Sequence, residues 1–355
     1  MNLEQQDPHS LLPKEWEALC TGLGLPAYRG RQIFQWLHQK DAASFLEMTD
    51  LPEELRRRLE SSIPIFQMQL AQKQRSTKDE TTKYLFRLRD GQCIESVLMR
   101  YEYGYSLCIS SQVGCRMGCR FCASTLGGLV RNLSAGEMVQ QVYAASKEAG
   151  VRISHVVVMG CGEPFDNYDA LLRFFSLLRD EKGRGLSLRN ITVSTCGLPQ
   201  RIREFAGRRL GVTLAVSLHA AEDELRRQLM PGAARYSLDE LLDACQYYTE
   251  ETGRRITFEY ALIKGCNDGQ ENAARLVERL RGMLAHVNLI PVNPVEERGL
   301  ARPSLQRVRE FAKVLERGRI PVTIRREMGA DIDGACGQLR NRYTRKQEER
   351  PIRLE

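Results

Sequence analysis

The sequence predicts an α/β protein built on a parallel sheet, with a small helical unit ahead of it. Three observations carry this. From Tyr105 onward, strand-like apolar runs alternate with segments of helical period, an order that implies parallel strands joined by right-handed crossovers. Upstream, two period-2 runs at 83–88 and 92–99 are joined by Asp90-Gly91, a two-residue hairpin signal. Before residue 66 only helical periodicity is visible. Periodicity alone leaves an open doubly wound sheet and a barrel equally allowed.

Taken in order, residues 1–65 read as the helical unit. Pro13 and Pro52 stand where first-turn prolines start helices, and Gly30 separates two helical patterns. Ile33, Phe34, Trp36 and Leu37 give 31–40 an apolar stripe. Arg29, Arg31, Lys40 and Arg56-Arg57-Arg58 offer charge to phosphates, although such runs are more often solvated helix faces. Residues 66–104 hold the hairpin, with Glu95 on its second strand, where an acidic side chain is usually exposed. Residues 105–339 form the core. Strands are expected at 105–111, 153–159, 190–195, 212–218, 255–263, 286–291 and 321–326, and helices at 135–149, 168–181, 199–206, 238–252, 270–284 and 305–317. Ser134 with Glu137, and Ser237 with Glu240, have capping-box spacing. Gly150, Gly253 and Gly318 follow helices as C-cap glycines do. Residues 340–355 form a basic tail, which either tracks RNA phosphates or is disordered.

A chain of 355 residues suffices for one large domain with a smaller appendage. Lys+Arg 52 against Asp+Glu 45 gives a net charge of +7, which is compatible with RNA binding but common among soluble proteins. The start, MNLEQQDPHSLLPKEW, lacks the basic-then-apolar order of a signal peptide. No run of about eighteen apolar residues is present to span a membrane. Eleven cysteines then suggest metal or catalytic thiols in a cytoplasmic protein rather than a disulfide framework. A monomer is the default expectation.

The densest chemistry lies in residues 108–122, CISSQVGCRMGCRFC. Cys115, Cys119 and Cys122 form C-x3-C-x2-C, with Cys108 seven residues upstream of Cys115. Three thiolates this close suit zinc or an iron–sulfur centre. Structural zinc normally takes four ligands, and no fourth stands nearby. Three ligands around four irons would leave one iron open.

This motif, followed by a (βα) series, resembles the radical S-adenosylmethionine (SAM) enzymes, and SSQVGCRMGCRFC with later motifs resembles their RNA adenine-C2 methyltransferases, the RlmN family. The resemblance runs from about Arg29 to Leu339. It implies a partial (β/α)6 barrel with ligands at the strand C-terminal ends. It also implies a [4Fe–4S] cluster on Cys115, Cys119 and Cys122, with SAM on the open iron. RGRQIFQWL followed by LPEELR resembles the family's N-terminal accessory domain, which helps hold RNA. Met159-Gly160-Cys161-Gly162-Glu163-Pro164 follows a strand, and the family's GEP motif implies SAM contacts for Gly162 and Glu163. Ser194, Ser217-Leu218-His219 and Asn293 likewise end strands and match the family's SAM contacts. Taken singly, Ser194 would be a satisfied strand-end hydroxyl and His219 a packed histidine. Four matches in order are hard to credit to chance.

The segment DIDGACGQLR, residues 331–340, places Cys336 in a Gly-rich loop, with Gly334 where the family more often has Ala. For Cys20, Cys93, Cys161, Cys196, Cys245 and Cys266 the default is a buried structural thiol. Cys336 and Cys108 instead match the family's two non-cluster catalytic cysteines, and Glu95 matches its proton acceptor. The C2 carbon of adenine offers no nucleophile to the methyl group of SAM. The family's route, implied here, spends two SAM molecules per turnover. Cys336 becomes S-methylcysteine, and a radical from a second SAM activates that methyl group for addition to C2. Cys108 then resolves the protein–RNA adduct, leaving a disulfide with Cys336. The implied partners are 23S rRNA, tRNA and an electron donor such as flavodoxin or ferredoxin. The base must leave its stack to react. Two competitors differ in kind. The C8-methylating, Cfr-type branch has the same five cysteines but tends to lack the proline after Gly162-Glu163 and the alanine after His219. A metal-stabilised RNA-binding module would need no motif at strand ends.

Overall fold

The computed structural model describes residues 7–233, 235–293 and 299–332. The helical unit is α1 (Pro13–Gly22), α2 (Tyr28–His38) and α3 (Glu53–Ser62). Pro13 opens α1 as expected, whereas Pro52 is the residue capping α3 rather than its first-turn residue. Gly30 does not separate helices. It lies inside α2, where a Cβ would come 2.4 Å from backbone atoms of Trp16 and Glu17, so it is the notch through which α1 and α2 cross. Ile33, Phe34 and Leu37 are fully buried with Trp16 and Phe45. Burying each is worth about 1.5–3 kcal/mol. The cations read as candidate phosphate ligands mostly serve neighbours. Arg31 pairs with Glu17, Arg57 pairs with Glu53, Arg56 donates to the Leu46 carbonyl and Lys40 lies over the Trp36 ring.

A ten-stranded sheet forms the rest. Three antiparallel strands enter it: β1 (Gln69–Arg75), β2 (Thr82–Arg87) and β3 (Cys93–Tyr101). A hairpin joins β2 and β3 at Asp90-Gly91 as expected, but with a three-residue loop, Arg89-Asp90-Gly91, in place of a two-residue turn: Leu88 N–H donates to the Gln92 carbonyl at 2.8 Å, and of the three only Gly91 has positive φ. β1 is exposed and polar, QLAQKQR, so its sequence shows no apolar alternation to announce it. β4 (Gly104–Cys108) pairs antiparallel with β3 and parallel with its other neighbour. The short ribbon β5 (Gln112–Gly114) and β6 (Leu129–Asn132) stands apart as a two-stranded sheet. Then follow α4 (Ala135–Ala149), β7 (Ile153–Val158), α5 (Tyr168–Arg179), β8 (Ile191–Thr195), α6 (Pro199–Gly207) and β9 (Thr213–Ser217). The chain continues through α7 (Asp223–Leu229), α8 (Leu238–Thr252), β10 (Ile256–Leu262), α9 (Gln270–Leu280), β11 (Ala285–Pro291), α10 (Leu305–Arg317) and β12 (Val322–Ile324).

The sheet order β1-β2-β3-β4-β7-β8-β9-β10-β11-β12 is parallel from β4 onward. Six strands, β4 and β7–β11, each lead to a helix, β4 by way of the β5–β6 ribbon, in the expected (β/α)6 arrangement, and β12 adds a short seventh strand. Both capping boxes form, and Gly150 and Gly253 end α4 and α8 with positive φ. Gly318 does not, since its φ is −73°. A Cβ there would meet Val277 of α9 at 2.5 Å, so close helix packing accounts for that glycine. Helix α9 stops four residues short of expectation, before the Arg281-Gly282 turn.

Beyond β12 the chain crosses toward the β1–β2 turn. Gly329 N–H donates to Asp79, and Asp331 accepts from the Ser76 hydroxyl at 2.6 Å and the Thr77 N–H at 2.8 Å. These bonds tie the two edge regions of the open sheet together.

Candidate active site

The cysteine loop is an excursion between β5 and β6. Cys115 N–H donates to the Gly128 carbonyl at 2.9 Å, closing the loop at its base. Inside it, the Thr125 hydroxyl donates toward the Cys119 and Cys122 carbonyls. The loop docks on the segment after α7, where Arg120 N–H donates to the Leu229 carbonyl and Gly232 N–H to that of Met117, each at 2.9 Å. Neither strand of the ribbon was expected, because each spans only three or four residues.

The loop faces the C-terminal ends of the parallel strands. Cys115, Cys119 and Cys122 line one cavity of about 200 Å³ with Gly162, Glu163, Ser194, Ser217 and His219. The turn after β7 is built around Gly162, whose φ is +108° and whose Cβ would lie 2.6 Å from the Gln112 side chain. Gln112 in return accepts from Glu163 N–H at 2.8 Å. Glu163 is buried, and its two oxygens accept from Phe165 N–H at 3.0 Å and Cys196 N–H at 2.7 Å. Burial raises its pKa, and the Cys196 amide opposes that rise.

His219 sits past β9 with φ +58°. Its Nδ1 accepts from Ala261 N–H at 2.8 Å, and its ring lies edge-on to Phe121. Burial and the charge of Arg226 pull its pKa down to about 3, so it is a neutral imidazole at pH 7. Leu218 is buried behind the wall and donates its N–H to the Glu259 carbonyl. Asn293 lies in an adjoining chamber of about 260 Å³ that shares Phe121, Cys122, Met159, Ile290 and Arg325 with the cavity.

Cys108 ends β4 and packs with Val97 and Met99 of β3, two residues that line this second chamber. Glu95 shares the β3 face of Val97 and Met99 by strand alternation. The expectation of an exposed hairpin carboxylate fails. Glu95 is 5% exposed and lies 3.1 Å from Lys83 Nζ, itself fully buried. A carboxylate there is tolerable only with its cation. Cys336 and the basic tail lie outside the described residues.

The donor set suits an iron–sulfur cluster. Burial pushes the Cys115 thiol up to about 12 and the Cys119 thiol well above its usual range, with neighbouring thiols adding to the effect. Thiols so disfavoured as lone anions need a metal to become thiolates. Among the described residues, no three His, Cys, Asp or Glu side chains converge as ligands of a single ion.

Several cavity residues were missed in the sequence. Cys196, assigned to structural packing, lines the wall with Thr195 beside Glu163. Glu259, buried in β10 and accepting from Asn288 Nδ2 at 2.9 Å, was signalled by a carboxylate inside an apolar strand. Arg325 of the same cavity carried no signal, nor did Arg226, which is buried beside Cys196 but does not line the cavity. Among the described residues no helix is long and apolar enough to cross a membrane.

Comparisons agree along the chain. Residues 109–277 match the radical SAM superfamily, and residues 10–65 match the ribosomal RNA large subunit methyltransferase N-terminal domain. A probable dual-specificity RNA methyltransferase RlmN of Lachnospira eligens is 53% identical over 337 residues, 95% of this chain and 96% of that protein. A protein of the same description from Pelotomaculum thermopropionicum is 54% identical over 327 residues, 92% and 89% of the two chains. The crystal structure of a radical SAM methyltransferase from Sphaerobacter thermophilus is 46% identical with a TM-score of 0.89, covering 94% of this chain and 98% of its own. Identity of this depth, over nearly all of both partners, means that the chain belongs to the RlmN family of radical SAM RNA methyltransferases, which use a [4Fe–4S] cluster and SAM.

Proposed function

We propose that this RNA methyltransferase modifies C2 of an adenosine in the peptidyl transferase centre of 23S rRNA, and of the adenosine 3′ of the anticodon in tRNAs. The observation carrying this reading is the junction of two chambers. One is lined by the three-thiol loop and Glu163, and the other is flanked by Cys108 on the β3 face that also bears Glu95. The dual-specificity description of the relatives supports two RNA substrates. When bound, the cluster and SAM supply the one-electron chemistry that polar methyl transfer to an electron-poor carbon lacks.

The chain's own groups divide the remaining work. Cys115, Cys119 and Cys122 would hold the cluster. Gly162, packed on Gln112, shapes the turn that presents Glu163 to SAM, while Glu163, Ser194, Ser217 and His219 orient it, Leu218 through its backbone and Asn293 from the neighbouring chamber. Cys336 would accept the methyl group on sulfur, Glu95 would take the proton leaving C2, and Cys108 would attack Cys336 to free the RNA. Flavodoxin or ferredoxin fits as donor to a cytoplasmic, monomeric enzyme.

The test uses anaerobically purified protein, SAM, dithionite and protein-free 23S rRNA or tRNA, followed by mass spectrometry of the nucleosides. The expected product is 2-methyladenosine, absent with Cys336→Ala. Production of 8-methyladenosine instead would overturn the C2 assignment. SAM cleavage by a loaded cluster with neither nucleoside formed would overturn the RNA targets.

A further inference from the structure

The sequence of α7, DELRRQL, reads as an exposed charged helix. Arg227 fits that description, being exposed and paired with Glu224. Arg226 does not. Its side chain is 1% exposed. Nη2 donates to the Cys196 carbonyl at 2.6 Å and Nη1 to the Ala233 carbonyl at 3.3 Å, while Nε has no hydrogen-bond partner. No carboxylate among the described residues pairs with it. Asp223 of the same helix acts on it only through space, its carboxylate being engaged by Leu238 N–H at 2.7 Å. A guanidinium buried this way is costly by several kcal/mol unless an anion compensates it.

The missing anion is identified by what surrounds Arg226. It bridges the Cys196 carbonyl at the end of β8, on the wall of the cavity that Cys119 also lines, and the Ala233 carbonyl in the segment on which the cysteine loop docks. Cys196 is already engaged with Glu163. Cys119 is the candidate cluster ligand.

We propose that Arg226 is a built-in counter-charge for the thiolate-ligated cluster, a positioning residue that makes the cluster easier to reduce. One-electron reduction adds a negative charge in a buried site, and a fixed cation nearby lowers its energy far more than it would in water. The two carbonyl bonds hold the guanidinium in place at that moment. The proposal rests on the assignment of Cys115, Cys119 and Cys122 as cluster ligands.

The test compares Arg226→Lys and Arg226→Gln with wild type, all reconstituted anaerobically with iron and sulfide, without SAM or RNA. Iron per chain and the reduction midpoint, followed by EPR under dithionite titration, are the readouts. Lys keeps the charge and Gln keeps only hydrogen-bond donors. The expected result is that the Lys variant loads and reduces like wild type. In the Gln variant the reduction equilibrium falls at least tenfold, about 59 mV more negative for one electron. A Gln variant that cannot retain iron while Lys retains it supports the same conclusion. Equal behaviour of the two variants, whether both normal or both impaired alike, overturns the proposal and leaves Arg226 an anchor for two carbonyls. A wild type that binds no iron, or a Cys119→Ser variant that keeps its cluster, sinks the ligand assignment instead.

Discussion

The helical unit of α1–α3 and the rim at the ends of the parallel strands are both well buried, but by opposite means. The helical unit packs largely apolar surface on apolar surface, with His38 a buried exception held at 2.8 Å from the Tyr143 hydroxyl. Trp16 meets Phe45 edge-on, Phe34 stacks on His38, and α1 and α2 approach closely at Gly30. The rim buries Glu163, Glu259, His219 and Arg226, groups that each lower stability unless held by specific partners. A folded chain keeps such groups where something else is gained. The contrast therefore separates the region that makes the chain stable from the region that makes it react.

Substitutions should split along that line. The largest effect is expected from Cys119→Ser in the rim. Iron and sulfide per chain should drop to near zero, while thermal unfolding of the cluster-free protein stays close to wild type. Next is Glu163→Gln, which keeps the volume but replaces one acceptor oxygen with a donor. SAM cleavage should fall on the order of 10²-fold, because misplacement of a bound reactant by about 1 Å costs that much. A cleavage rate within a few-fold of wild type would remove Glu163 from the SAM site.

In the helical unit the signature inverts. Gly30→Ala forces a methyl group onto the Trp16–Glu17 backbone and should destabilise the chain by about 3 kcal/mol, the upper end for overpacking. Melting temperature should fall with the iron content of the folded protein unchanged. A smaller loss is expected from Ser134→Ala, which removes the cap of α4 and with it about 1 kcal/mol.

Acid tests both regions together. Burial holds the pKa of His38 well below 6.5 and that of His219 near 3. Unfolded, each histidine takes a proton near pH 6.5; folded, neither does until much lower pH. Stability is thus fully present above about pH 7 and falls as the pH drops below 6.5, down to about pH 3 for His219. Each group contributes a limiting slope of about 1.4 kcal/mol per pH unit. Melting curves between pH 5 and 8 check this, and a flat profile would mean that water reaches both rings.

How much of this was legible follows from how local each signal is. The capping boxes at Ser134 and Ser237 and the hairpin at Asp90-Gly91 act over three or four residues, and each formed, the hairpin with one loop residue more than expected. Gly30 and Gly318 were read as punctuation because a sequence does not show what packs against a glycine. Their reasons are Trp16–Glu17, thirteen or fourteen positions away, and Val277 on another helix. Glu95 was expected to be exposed for the same reason. Lys83, twelve residues earlier, faces it only once β2 and β3 pair in register.

By itself the sequence determined the strand–helix order and the donor types. Hydrophobic period and caps act along the chain, and three cysteines at C-x3-C-x2-C cannot lie far apart. Tertiary structure alone decided which residues wall the cavity. Cys196 and Glu259 come from separate elements, and behind that wall nothing local distinguishes buried Arg226 from its exposed neighbour Arg227. Their burial depends on how the sheet curves and where the cysteine loop docks, and both depend on long-range packing.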